Sequence, residues 1–194
     1  MRGRFDCGTL AASVIAIVLG ALVFITSSAT AHAQTDAEPT LERRVKAAFL
    51  YRYTEFVSWP DAAFARSDSP FVIAVIGRDA MVDDLRNIAG TRTVAGHMVE
   101  VRRATEADSA PPAHLIFIAD AEKPRLRELL RNAPRYALTV TEVEGALSLG
   151  SMINFVIVEG RVRFEIALDN AEKRGLRLSS RLLAVAHAVR AGNP

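Results

Sequence analysis

Cysteine is almost missing from this 194-residue chain: Cys7 is its only one, and it precedes a hydrophobic run near the start. A lone cysteine excludes an intrachain disulfide framework, a thiolate metal cluster and a dithiol redox pair. It also sits ahead of that run, so it cannot be the lipid-bearing first residue of a processed lipoprotein. The signatures of common chemistry are missing too. There is no G-x-G-x-x-G, no G-x-x-x-x-G-K-[ST], no G-x-S-x-G and no H-E-x-x-H, which removes the usual nucleotide cradles, the hydrolase elbow and the zinc-protease helix. Excess charge of one sign is lacking as well. Lys plus Arg number 24 against 22 Asp plus Glu, too even a balance for the basic footprint that nucleic-acid binding requires.

The remaining polar residues do not assemble a reaction on paper. His97, His114 and His187 fall on different expected elements. Asp83 and Asp84 sit on the solvated side of an expected helix, and Glu142 and Glu144 flank a turn. A carboxylate pair becomes an acid and a base only when its surroundings push the two pKa values apart. Gly77-Arg78-Asp79, between an expected strand and helix, reads as an ordinary turn rather than an anion site. The chain is therefore read as a non-enzyme, with no catalytic residue, no cofactor and no metal.

What is present begins with an export signal over residues 1–33. Arg2 and Arg4 lead, an apolar run of 16 residues spans Leu10 to Ile25, and Ala31-His32-Ala33 is a small-x-small cleavage site. The run is short for a membrane span of about 20 residues; an uncleaved anchor is the alternative. Cleavage leaves 161 residues from Gln34, without cysteine. Subtracting Arg2, Arg4 and Asp6 leaves 22 basic against 21 acidic residues. A folded chain of that size buries roughly 68–70% of its unfolded surface, enough for one domain with a core. The expected organisation is a leader over 34–40 and a single domain over 41–192.

Along that domain, Thr40 caps an expected helix in which Leu41, Val45, Ala48, Phe49, Tyr53 and Phe56 recur at three- and four-residue steps until Pro60. Phe71 to Ile76 is a continuous apolar run, as in a strand buried on both faces, and Asp79 caps an expected helix after it. Further strands are expected over Val94–Val101, His114–Ile118 and Ala137–Thr141, with a helix between the last two. Glu159-Gly160 separates two runs of β-formers by two residues, a hairpin signal. Short helices follow at Asp169 and, capped by Ser179, through Leu182, Val185, Ala186 and Val189. Strands alternating with helices predict an α/β single-domain sandwich. Its sheet is mixed, with a parallel crossover part, a C-terminal antiparallel hairpin and flanking helices.

Two stretches stand out together: Val45-Lys46-Ala47-Ala48-Phe49-Leu50-Tyr51 with Phe56 and Trp59-Pro60, and Gly150 to Ile166 (GSMINFVIVEGRVRFEI) followed by Gly175 to Leu183 (GLRLSSRLL). They resemble the YfiR/HmsC-like family of periplasmic repressor proteins over roughly Leu41 to Arg190. The resemblance implies a periplasmic repressor that binds the periplasmic sensor domain of an inner-membrane diguanylate cyclase, lowering cyclic-di-GMP and biofilm formation. An outer-membrane sequestering protein and a homodimer are further expected partners. Better-known relatives carry cysteines in the folded domain; this chain has none there, so disulfide-based redox sensing does not carry over. The alternative is a periplasmic small-molecule-binding sensor module for another membrane receptor, such as a histidine kinase.

Candidate partner-binding residues follow from side-chain type. Tyr53 and Trp59 offer large areas with one polar handle, with the core as the competing place for them. Arg161, Arg163 and Glu165 make the charged face of the second hairpin strand, and Arg177 and Arg181 add guanidinium forks for a carboxylate. Asn154, alone among apolar neighbours, is expected to bond the hairpin or a nearby loop.

Overall fold

The computed structural model describes residues 31–106 and 112–191, with side chains from Thr40 onward. The chain divides into two compact units, Met1–Leu41 and Glu42–Pro194. The second carries every described strand and both cores. Most of the expected export signal, residues 1–30, lies outside the described residues. No described helix is long and apolar enough to cross a membrane.

Helix α1 spans Ala31–Phe56 and is followed by β1 (Val57–Ser58) and a 3-10 turn at Asp61–Ala63. Next come β2 (Phe71–Ile76), α2 (Asp79–Ala89), β3 (Thr93–Val94), β4 (His97–Arg103) and β5 (Leu115–Ile118). A 3-10 segment at Asp120–Arg125 leads into α3 (Leu126–Asn132), then β6 (Leu138–Thr141) and a 3-10 turn at Ala146–Leu149. The tail holds β7 (Ile153–Val158), β8 (Arg161–Ala167), α4 (Leu168–Lys173), β9 (Arg177–Leu178), α5 (Ser180–Val185) and β10 (Ala188–Arg190).

Eight strands form one sheet in the order β10-β8-β7-β6-β5-β2-β4-β3, and β1 pairs with β9 in a small antiparallel sheet. The central run β4-β2-β5-β6-β7 is parallel throughout. Numbered along the chain, these five strands have the order 2-1-3-4-5, one of the two common doubly wound arrangements. The β7–β8 hairpin is antiparallel, and β10 returns parallel to β8. The mixed α/β sandwich expected from the sequence is thus the observed one.

Alternation of side chains splits β2 between two cores. Phe71, Ile73 and Val75 join α1 and α2 on one face, and Val72, Ala74 and Ile76 join α3 on the other. Each Phe, Val or Ile side chain buried this way contributes about 1.5–3 kcal/mol, which is why an unbroken apolar run suits a central strand. In the hairpin, Glu159 and Gly160 both have positive φ, the turn whose twist matches the flanking strands.

Several local expectations are corrected. Helix α1 already runs through the expected leader and ends at Phe56, not at Pro60, because Val57 and Ser58 are drawn into pairing with Leu178 and Arg177. The expected Val94–Val101 strand is two strands around Ala95-Gly96, both at positive φ. The last helix stops at Val185, and Val189 lies on β10, held beside β8 by the Ala188–Glu165 and Val189–Ile166 register. Val185 faces out and is 65% exposed.

Candidate functional site

Three segments leave the sheet at its carboxyl edge and meet there. Arg78 follows β2, Asp120 follows β5 and Glu142 follows β6. In a doubly wound sheet this edge, where the strand order reverses between the first and third strands, is where ligands settle; here that point lies between β2 and β5. Gly77, at φ +84°, turns the chain from β2 into Arg78.

The charges interlock. Arg78 Nη2 donates to Asp120 Oδ1 at 2.9 Å and lies 3.0 Å from Glu142 Oε1. Glu142 Oε2 accepts from Lys46 Nζ of α1 at 2.6 Å, and Lys46 also donates to Glu42. The Asp120 backbone N–H reaches Glu142 Oε1 at 3.3 Å. Lys46 and Glu142 are buried, with side chains 8% and 5% exposed. Desolvation pushes the Asp120 carboxyl up, but hydrogen bonding and charge from Arg78 outweigh it and hold the group below its ordinary 3.8.

Above this network opens a cleft of ≈ 690 Å³ that extends along β7 and β8 to Glu165 and Arg190. Five carboxylates, from Glu42, Asp120, Glu142, Glu144 and Glu165, face three cations, from Lys46, Arg78 and Arg190. The surplus of negative charge suits basic side chains or a cationic group. Among the described residues no three His, Cys, Asp or Glu side chains are grouped to hold a metal ion.

The structure divides the residues singled out from the sequence. Glu165 lines the cleft and lies 3.7 Å from Arg190. Arg161 and Arg163 are exposed on the same face of β8, at alternate positions. Phe164, between them and Glu165, points to the opposite face, where it meets Tyr53 at 5.2 Å between ring centroids. Tyr53 is buried, 1% exposed. Arg181 borders an apolar groove on that side, with Tyr53 in its wall. Trp59 is half-buried, donates from its indole to the His114 carbonyl at 3.1 Å, and shares a small cleft with Arg177 near the β1–β9 pair. Asn154 does bond a loop: its Oδ1 accepts from Thr141 Oγ1 at 2.7 Å and from Val143 N at 3.1 Å.

The sequence reading missed Lys46, Arg78, Asp120 and Glu142 as a set. One signal was available: each of the last three lies within two residues of a strand's carboxyl end. Their convergence depends on a strand order that local patterns do not contain.

A model of the YfiR/HmsC-like family matches residues 43–187. The chain belongs to that family. The YfiR/HmsC-like proteins are periplasmic regulators of diguanylate cyclases. No curated protein matches the chain significantly. Among solved structures, a conserved domain protein from Vibrio cholerae is similar at 12% identity and a TM-score of 0.46, over 61% of this chain and 54% of that one. A Bacteroides fragilis protein described as an NADP oxidoreductase is similar at 12% identity and a TM-score of 0.31, over 66% of this chain and 61% of the other. The chain thus spans little more than half the length of these solved proteins, and scores of this size give neither likeness weight on function.

Proposed function

We propose that this YfiR/HmsC-like protein is a periplasmic repressor that docks on the periplasmic sensor domain of an inner-membrane diguanylate cyclase and thereby lowers cyclic-di-GMP and biofilm formation. It acts by binding rather than by turnover. Family membership supports the kind of function. The observation that carries the docking surface is the face of the hairpin beside the cleft. There Arg161 and Arg163 stand exposed, and neither is paired with a carboxylate or carbonyl among the described residues. Unspent guanidiniums next to a cleft rich in carboxylates make a two-signed surface, and such surfaces steer and select protein partners. Trp59 and Arg177, on the β1–β9 side, form a separate candidate contact.

The test is binding of the purified protein to the isolated periplasmic domain of the cyclase. Arg163→Glu is expected to weaken that complex by about tenfold or more while leaving the melting temperature unchanged, and deletion of the gene should raise cellular cyclic-di-GMP. No complex and unchanged nucleotide levels would overturn the reading. The ≈ 690 Å³ cleft favours one second reading, a small-molecule sensor module for another receptor such as a histidine kinase. A ligand-dependent rise in melting temperature without any cyclase partner would select it.

A further inference from the structure

On the face of β8 opposite Arg163, a groove of ≈ 410 Å³ runs between α1 and α5. Its walls are Phe49 and Phe56 from α1, Phe164 from β8, and Leu182 and Val185 from α5. Its size falls within the range of small-ligand sites, which are mostly apolar with a few placed polar groups. Here the polar groups are three. Arg52 and Arg181 border the groove, both are exposed, and neither has a hydrogen-bond or ion-pair partner among the described residues. The third belongs to Tyr53, whose side chain, only 1% exposed, forms part of the wall; its hydroxyl is shielded from solvent and has no hydrogen-bond partner among the described residues.

A buried hydroxyl is normally satisfied, and one that is not calls for an explanation. Tyr53 is held in place by Phe49, Phe155 and Phe164 around its ring, so it cannot swing out to water without opening the core. The walls suit an apolar body, and two exposed guanidiniums without a protein partner among the described residues suit an anion, their planar forks being matched to a carboxylate.

We propose that this groove binds a free single-chain carboxylate of medium-chain fatty-acid type, its apolar body along Phe49, Phe56, Phe164 and Leu182, its carboxylate on Arg52 and Arg181, with the Tyr53 hydroxyl as an additional donor. The site is independent of the docking surface, because the two pairs of arginines flank opposite faces of β8. Its failure would leave the Arg163 experiment untouched.

Calorimetric titration of the purified protein with decanoate, below its micelle concentration, and in parallel with 1-decanol, tests the assignment. Saturable one-to-one decanoate binding is expected, with decanol weaker by about tenfold or more, as loss of charge-assisted hydrogen bonds implies. The double variant R52Q/R181Q should bind the two compounds alike while melting normally. Tyr53→Phe should raise the melting temperature of the free protein, by removing an unpaired hydroxyl, and yet weaken decanoate. If Tyr53→Phe fails to fold, Val185→Trp fills the groove from its exposed rim and should abolish binding. Equal affinity for decanoate and decanol, decanoate binding that survives R52Q/R181Q or Val185→Trp, or no binding at all would overturn the proposal. So would a dimer that Val185→Glu dissociates without any decanoate binding, which would give the groove to a second copy, or sedimentation with anionic vesicles in place of binding to soluble decanoate.

Discussion

Glu142 illustrates how much one side chain carries. Both of its oxygens are engaged by cations, Lys46 on one and Arg78 on the other, at a position 5% exposed. Burying those charges is costly, and the network is tolerable only while each charge keeps its partner. Glu142→Gln leaves Lys46 facing Glu42 alone and Arg78 facing Asp120 alone. The expected loss is about 1.5–3 kcal/mol of stability, the worth of hydrogen bonds to a charged group, since each cation keeps one carboxylate; chemical denaturation with an unchanged m-value checks it. A loss below about 1 kcal/mol would show that water already screens the pair. Asn154 was legible beforehand, because an amide in an apolar strand must find partners. Glu142 was not, since nothing in Thr141-Glu142-Val143 reveals that a lysine 96 residues away meets it.

Among the elements, those formed by long periodic or continuous patterns were readable and those formed by pairing were not. Strand β2, helix α2 and the β7–β8 hairpin follow directly from apolar runs, spacing and the Glu159-Gly160 turn. Strands β1, β9 and β10 are two or three residues long and exist only because a distant segment offers hydrogen bonds; the link from Ser179 N to Phe56 O at 2.9 Å is part of what places β9 beside β1. The joint between β2 and α2 makes a prediction at this scale. Gly77 has φ +84°, and a Cβ there would come within 2.6 Å of Glu122 Cγ. Gly77→Ala is expected to cost more than about 1 kcal/mol, because the left-handed backbone is strained for alanine even if Glu122 moves aside. The same change at Gly96, in the β3–β4 turn, meets no neighbour within 4 Å. A thermal melt of the two variants should therefore place Gly77→Ala below Gly96→Ala, and equal melting temperatures would remove the role assigned to the Glu122 contact.

For the domain as a whole, the coupling of loop to sheet runs through His114. Its Nδ1 accepts from Val72 N at 3.0 Å, so the proton of the neutral ring lies on Nε2, 3.2 Å from the Ala63 carbonyl. Phe64 stacks on both His114 and His97, at 4.5 and 3.9 Å between ring centroids. Burial is the main reason that His114 is pushed down from 6.5 to about 4, with the nearby His97 adding to it and the Ala63 carbonyl opposing it. The unfolded chain takes up a proton near pH 6.5 that the folded one refuses until about pH 4. The stabilisation from this group is therefore complete above pH 6.5, declines as pH falls to about 4, and then levels off. His114→Phe should lower stability at pH 7.5, by stranding the Val72 N–H, and flatten that acid slope. Melting temperatures measured between pH 4 and 8 decide the matter, and an unaltered slope in the variant would assign it to other groups.

Local order was enough for a good deal: periodicity and turn residues specified the α/β class, the hairpin and most central strands, and two stretches carried the resemblance to the family. Those features are written within a few residues of one another, where sterics and side-chain alternation act. Only the assembled chain decided that Arg163 and Arg181 face apart, that Tyr53 is enclosed with an idle hydroxyl, and that Lys46, Arg78, Asp120 and Glu142 converge at one edge. Each of those depends on the order of strands in the sheet, and that order is settled by how far-apart segments bury one another's surfaces rather than by the pattern inside any of them.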